Sequence, residues 1–478
     1  MKTITTILAL LLFVRIQAQT YFKGEDVTDY VTNLEQQVSV IPGLNSTITN
    51  LNALNADLTS RVNSLIQANE FQANQITDLK QQLANCVEPE PPIVVKTTLE
   101  GFGVNRGAYA GSSTPTILYV NNLSGLSVKT SETSGSLRWC LEQTFPRIIL
   151  VRKSGTITLA THIQVRNPYV SFFGQTGKLL VKGEGIDIRT HDVIIQHLIV
   201  RPGNKNTTAA AGGIDGIEIR RAAYNVVVDH CSVAWAIDEN MSLWADEPIR
   251  NITISNCIIG EGLNKSIHPE GAHSKGLMVG TDCQNISLIK NYITCNGDRN
   301  PLMQGKTSTE VINNLIYNGG NQIMLNDFAT LPTQVSIINN VYLRGPNETS
   351  SEPIKILGIN NSSKVYAVGN TETANDWSNI DDRYNKESYI KVSVPPISSG
   401  AKILPRNEVK NYVFENVGAW YWDRDAVDKR LISEYGTGIW KDVPPDDINY
   451  PEINLTYSIP KNPHTIINGF TNLENWLK

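Results

Sequence analysis

The chain has 478 residues, enough for one large core with accessory segments, and carries 41 Lys and Arg against 46 Asp and Glu, a formal net charge of −5. That balance argues against general nucleic-acid binding, which calls for a basic footprint, but leaves room for a local basic groove and an acidic substrate. Six cysteines, Cys86, Cys140, Cys231, Cys257, Cys283 and Cys295, are too sparse for a disulfide scaffold, and none has CxxC metal spacing.

The chain opens MKTITTILALLLFVRIQAQT, with Lys2, an apolar run from Ile4 to Val14, and Ala18 before a cleavage point. Residues 1–18 read as a signal peptide, which makes the protein secreted, extracellular or periplasmic. The run is too short to span a bilayer, and no later segment offers the ~20 apolar residues a spanning helix needs. From Leu34 to Cys86 a heptad follows, with a at Leu34, Ile41, Ile48, Asn55, Val62, Asn69, Ile76 and Leu83, and d at Leu44, Leu51, Leu58, Leu65 and Leu79. Residues 34–86 are thus a parallel coiled coil, with Asn55 and Asn69 fixing its register. Pro42-Gly43 should break the helix, so its continuous part is expected from Leu44 and to make a homo-oligomer, dimer or trimer, through 44–86. The rival reading is a single amphipathic helix lying on the next domain. VEPEPPIVVK, 87–96, supplies a Pro-rich spacer, and a second domain fills 97–478.

In that domain short β-branched runs recur, each closing on His or Asn before a turn: HDVIIQHLIV, YNVVVDHCSVAW, RNITISNCIIG, NISLIKNYIT, STEVINNLIYN and QVSIINNVYL. Taking His197, His230, Asn256, Asn291, Asn314 and Asn340 as equivalents gives spacings of 33, 26, 35, 23 and 26. Irregular repeats of this size without a helical period predict an all-β domain, a parallel β-helix with loops of varying length. A sandwich would need hairpin turns, and Asn-Gly or Asp-Gly chemistry is scarce where they would fall. Cys231 and Cys257 each follow a ladder residue and should stack on adjacent coils, either bridged or, the favoured reading, packed as small apolar groups.

Chemistry gathers in a few segments. GGIDGIEI places Asp215 at the mouth of a strand, DHCSVAWAIDENMSLW carries Asp229, Asp238 and Glu239, and EGLNKSIHPEGAHSKG carries Lys265, His268, Glu270, His273 and Lys275. GDRNPLMQG then sets Arg299 on an exposed turn. If these are consecutive coils, oxygen ligands cluster as Ca²⁺ requires, and cations follow as a polyanion requires. Asp229 and His230, inside an apolar strand, read equally well as satisfied buried polar groups. His268, Glu270 and His273 have no recognisable metal-binding spacing, although a zinc site stays open.

From about Gly101 to the C-terminus the sequence resembles the pectate lyases of polysaccharide lyase family 1, especially their secreted bacterial branch. The resemblance lies in GFG (101–103), GSLR (135–138), KSGTI (153–157), THDVIIQHLIVRPG (190–203), VVVDHCSVAWAIDE (226–239), EGLNKSIHPEGAHSKG (261–276), RNP (299–301), DAVD (425–428) and GFTNLENWLK (469–478). It implies a right-handed parallel β-helix that cleaves polygalacturonate, or a related uronic-acid polysaccharide, by Ca²⁺-assisted β-elimination. Arg299 falls on the family's catalytic arginine, Lys275 on a lysine that meets a substrate carboxylate, and Asp215 and Asp238 on calcium ligands. Two positions depart from the pattern. The second arginine of an RxPxxR motif falls on Gln304, with Lys306 close by, and a later calcium carboxylate falls on Ser242, leaving Glu239 as its substitute. Lys265, His273, Gln304 and Lys306 are accordingly the expected substrate-binding residues, with Asp215, Asp238 and Glu239 holding the metal.

Two other functions fit the residues less well. A non-catalytic binding or adhesive β-helix displayed on the coil would explain Gln304 and Ser242. A hydrolase would need two carboxylates placed for acid and base work, whereas Asp238 and Glu239, adjacent on a strand, should point to opposite faces.

Overall fold

The structure is a computed structural model. It describes residues 41–86 and 99–478, apart from 128–132, 205–212, 322, 327–330, 349–352, 359, 373–374, 377–380, 383–389, 446–449, 452 and 455–456. The signal peptide, the heptad start at 34–40 and the 87–96 spacer lie outside the described residues, as does the side chain of Cys86. The chain divides into two compact units between Ile93 and Val94. Among the described residues no helix is long and apolar enough to cross a membrane.

In the first unit Ile41–Cys86 is one helix. It takes in Pro42 and Gly43, so the helix as described begins three residues before the Leu44 start expected from the sequence. The heptad side chains Ile48, Leu51, Leu58, Val62, Leu65 and Ile76 are about half exposed or more, an apolar seam along the single chain.

The second unit is a right-handed parallel β-helix. Successive coils give parallel strands to a ten-stranded, a nine-stranded and an eleven-stranded sheet, counted among the described residues, and the short strands Asn375–Asp376 and Ile453–Asn454 close the ends of the last by antiparallel pairing. Registers are in step from coil to coil: Val226 pairs with Ile252 and Ile252 with Ile286. Side chains alternate in and out along each strand. In Glu239–Trp244, Met241 and Leu243 enter the core while Ser242 and Trp244 face outward. The interior is filled by Val, Ile and Leu columns, the β-branched runs seen in the sequence.

One register needs correcting. Asn291, Asn314, Asn340 and Asn370 form the amide ladder, each backbone N–H and Nδ2 donating to the next Oδ1 at 2.9–3.0 Å. Cys231 and Cys257 continue that column: Cys257 N donates to Asn291 Oδ1 at 3.0 Å, and Cys231 N to Cys257 Sγ at 3.4 Å. His197, His230 and Asn256 instead share the preceding column with Lys290, Asn313 and Asn339, all at φ between 48° and 59°. The ladder residues therefore follow at 33, 26, 34, 23, 26 and 30 from Leu198. Both cysteines are free and buried, as packing rather than bridging requires. A thiol stands where later coils use an amide oxygen.

Asp229 and His230 are satisfied within the scaffold. Burial alone would raise the Asp229 carboxyl, but His230, Asn256 and Ser255 donate to it and hold it well below the usual carboxylate range. The DAVD motif is also structural. Asp425 caps the helix Ala426–Ser433, and Arg201 joins Asp425 at 2.6 Å and Asp428 at 2.7 Å in a buried cluster that ties the C-terminal helices to the β-helix.

Candidate active site

The nine-stranded sheet carries the site on its outer face. Ile217–Arg220, Glu239–Trp244, Lys275–Val279 and Leu302–Gln304 are successive neighbours in it. Asp215, Glu239 and Lys275 fall at the mouths of the first three and Arg299 just before the fourth. Glu239 N donates to Asp215 Oδ1 at 3.1 Å, Glu239 pairs in register with Lys275, and Leu277 N donates to the Arg299 carbonyl at 2.7 Å. A pocket of about 330 Å³ opens there, with Asp215, Asp238, Glu239, His268, His273 and Arg299 in its lining.

Buried amides hold the turn that presents Arg299. Asn240 Nδ2 donates to Asn296 Oδ1 at 2.9 Å, and Asn296 Nδ2 to Asn300 Oδ1 at 3.0 Å, so the residues after Glu239 and Arg299 are tethered to one another. Arg299 itself sits at φ 61°, in the left-handed region that a residue with a Cβ adopts only where its surroundings insist. Gly276 makes room: a Cβ there would lie 2.6 Å from the Arg299 carbonyl oxygen.

The arginine is not on an exposed turn. Its side chain is 25% exposed and its guanidinium pairs with Glu239, which is almost wholly buried. Burial lowers the guanidinium's pKa, against the pull of Asp238 and Asp215. Asp215 lies under the opposite stress: burial first, then the charges of Asp238 and Glu218, push its carboxyl well above the usual range, although Ser242 donates a hydrogen bond to it. Asp238 would also be raised by burial, but the His273 hydrogen bond and the charges of His273, His268 and Arg299 hold it down.

Asp238 and Glu239 do not diverge as adjacent strand residues would. Asp238 lies in the bend before the strand, so both carboxylates reach Asp215, with ligand oxygens of all three within 4.8 Å of one another. Three crowded oxygen donors, one pushed towards its protonated form by burial and then by its neighbours' charges, fit a hard divalent cation such as Ca²⁺. A second cluster joins Asp238 to two of the residues, His268 and His273, at which the sequence leaves a zinc site open. His273 Nε2 donates to Asp238 Oδ1 at 2.7 Å, and the His268 ring stacks on His273 with centroids 3.6 Å apart. Four residues lie between these histidines on an irregular loop, which gives no periodicity to read.

The other expected residues lie around this centre with partners of their own. Lys275 Nζ is held by Asp298 at 2.8 Å, Lys306 by Asp282 at 2.6 Å, and the exposed Lys265 by Asp442 at 2.9 Å. Gln304 Oε1 accepts from Thr281 N at 3.1 Å. None of these four lines the pocket, whereas Glu218, Arg220, Trp244 and Met278 do.

No family model matches the chain. Among curated proteins it is 28% identical over 354 residues to the probable pectate lyase C of Aspergillus flavus, covering 70% of this chain and 75% of that one. It is 29% identical over 357 residues to the probable pectate lyase C of Emericella nidulans, covering 71% and 75%. Among solved structures, a pectate lyase bound to hexasaccharide aligns at 14% identity and a TM-score of 0.48, covering 68% of this chain and 98% of that one. Over about 70% of its length the chain is thus similar to curated proteins named as probable pectate lyases. The two curated relatives are both fungal.

Proposed function

We propose that the β-helical unit cleaves a uronic-acid polysaccharide by β-elimination, with Arg299 acting at the C5–H of the reacting sugar. The observation that carries this reading is Arg299 set against Asp215, Asp238 and Glu239 in one outer pocket. In the reaction the C5 proton leaves, its electron pair forms the C4–C5 double bond, and the C4–O bond breaks to free the next sugar. Burial moves the guanidinium in the direction that proton abstraction needs, and the fixed positive group faces the charge that grows on the uronate. Asp215, Asp238 and Glu239 would hold Ca²⁺, which supplies positive charge to the substrate carboxylate and offsets the pull of the three carboxylates on Arg299. His273 keeps Asp238 oriented. Lys275 is assigned to the catalytic set with Arg299 from the family resemblance, and would release Asp298 to meet a substrate carboxylate; Lys265, His273, Gln304 and Lys306 are assigned to substrate binding from their places in the sequence.

The same proposal includes export through residues 1–18 and assembly of a homo-oligomer through the coiled coil, supported by the heptad and its exposed apolar seam. Membership of the secreted bacterial branch rests on the motifs alone. Incubating the protein with polygalacturonate and Ca²⁺ while following ultraviolet absorbance tests the central claim. The unsaturated uronate should accumulate, and reducing ends without that absorbance would identify a hydrolase instead. An absorbance-silent protein that binds the polymer would be the non-catalytic, adhesive β-helix.

A further inference from the structure

The lysine that the family resemblance sets against a substrate carboxylate does not line the pocket. Lys275 turns its ammonium along the helix axis to Asp298 Oδ2, 2.8 Å away on the next coil, and the two side chains are only 17% and 21% exposed. Asp298 does not depend on Lys275 alone. Asn321, one coil further on, donates from Nδ2 to Asp298 Oδ1 at 2.9 Å, and its own Oδ1 accepts from Lys355 Nζ at 2.7 Å. Lys355 lies in Ile354–Leu357, the next strand of the same sheet, and is buried. An ammonium can only donate and an ionised carboxylate only accept, so a single orientation of the amide serves both. Lys275, Asp298, Asn321 and Lys355 thus form one polar line across four successive coils.

The line passes beside the reactive arginine. Asp298 and Asn300 flank Arg299, and Asn321 holds both, the first through its side chain and the second through its carbonyl, which accepts from Asn300 Nδ2 at 2.9 Å. A cross-link between coils needs no charge, since the ladder of Asn291, Asn314, Asn340 and Asn370 joins them with neutral amides. Here a carboxylate stands between two ammonium groups, of which Lys275 is the one beside the pocket. Were Lys275 its only partner, turning that lysine to a substrate would strand a half-buried carboxylate, and the penalty would be taken from substrate affinity. With Asn321 donating to the other oxygen, and Lys355 polarising that amide, the carboxylate keeps a strong partner.

We infer that Asp298 and Asn321, with Lys355 behind them, are positioning residues for the reaction: they hold the Lys275 ammonium beside the pocket in the free protein and release it to a substrate carboxylate without stranding a charge. This rests on the lyase reading and on the part that reading gives to Lys275.

Steady-state kinetics on polygalacturonate with Ca²⁺ test it in a double-mutant cycle, with thermal unfolding to show that each variant is folded. Asn321→Ala combined with Lys355→Met removes the support without leaving a buried ammonium unpaired. KM should rise about tenfold, the equivalent of one lost hydrogen bond to a charged group, with kcat nearly unchanged because the Asn321 carbonyl still holds Asn300. In an Asp298→Asn background the same two substitutions should leave KM where it was, since no carboxylate remains to be stranded. Asp298→Asn alone should bring KM to the wild-type value or below it, a comparison that stands even if the combined variant does not fold. An unchanged KM in the combined variant, a rise of equal size in both backgrounds, or a raised KM in Asp298→Asn overturns the inference and leaves the lyase reading standing. No unsaturated product from the wild type overturns the reading on which it rests.

Discussion

Replacing Arg299 with alanine removes a catalytic group and also orphans a buried charge, and the two losses can be separated. The Glu239 side chain is 4% exposed and loses its guanidinium partner in Arg299→Ala, beside Asp215 and Asp238. Breaking a fully buried pair costs about 3–5 kcal/mol; with the guanidinium one-quarter exposed, a loss of about 2 kcal/mol is expected in chelator. Adding Glu239→Gln removes the stranded charge and should return most of that stability. It should not return turnover, because losing a proton-transferring or charge-stabilising group costs roughly 10²–10⁴-fold. Urea unfolding in chelator measures the first effect, and product absorbance in Ca²⁺ the second. A single variant as stable as wild type would remove the ion pair from the argument; near-wild-type turnover in the double variant would remove Arg299 from the chemistry.

Chelation should suppress product formation, and Asp215→Asn should raise the Ca²⁺ concentration needed for half-maximal rate; full activity in chelator would leave the carboxylate cluster without its role. Burial lowers the His197 pKa to about 3, with the charge of His230 adding to it, so the unfolded chain takes up this proton first as pH falls. Stability should therefore be complete above about pH 6.5 and decline below it, by about 2–3 kcal/mol at pH 4.5 from this residue. Urea midpoints across that range should flatten in His197→Asn, and a slope unchanged by the substitution would assign the acid loss elsewhere. Deleting residues 19–96 should yield an active monomer with weaker binding to long polymers and little change on short oligomers; light scattering that shows full-length protein as a monomer at micromolar concentration would refute the assembly.

The repeating β-branched runs made the parallel β-helix legible, because each coil buries the same apolar columns. The spacing places the ladder one residue early at His197, His230 and Asn256, which hold the turn position that Lys290 occupies on a later coil, and spacing alone cannot tell the two columns apart. Asp215, Asp238, Glu239 and Arg299 are legible in the sequence and do meet, because coil stacking turns separations of 23 to 84 residues along the chain into places on nearby rungs of one sheet. What escaped was side-chain direction. Lys275 sits beside Glu239 in register, yet its ammonium turns to Asp298, and Asp238 escapes strand alternation only because it lies in a bend. His268 came to the site through a loop, and Trp244 looked like any strand aromatic until its exposure was known.

The site is divided among successive rungs of one sheet, and rungs are separated by a fixed step of about 4.8 Å. Distances between its groups along the helix axis therefore come in whole steps rather than as a continuous variable. A substitution can change what a rung presents, as Ser242 does beside Asp215, and a loop can grow without disturbing the stack, as the 23- to 34-residue repeats show. Losing or gaining a single coil between Asp215 and Arg299 would shift every partner by a full rung. For such a protein, divergence in specificity is confined to the residues and loops of each coil, while the order of the coils is inherited whole.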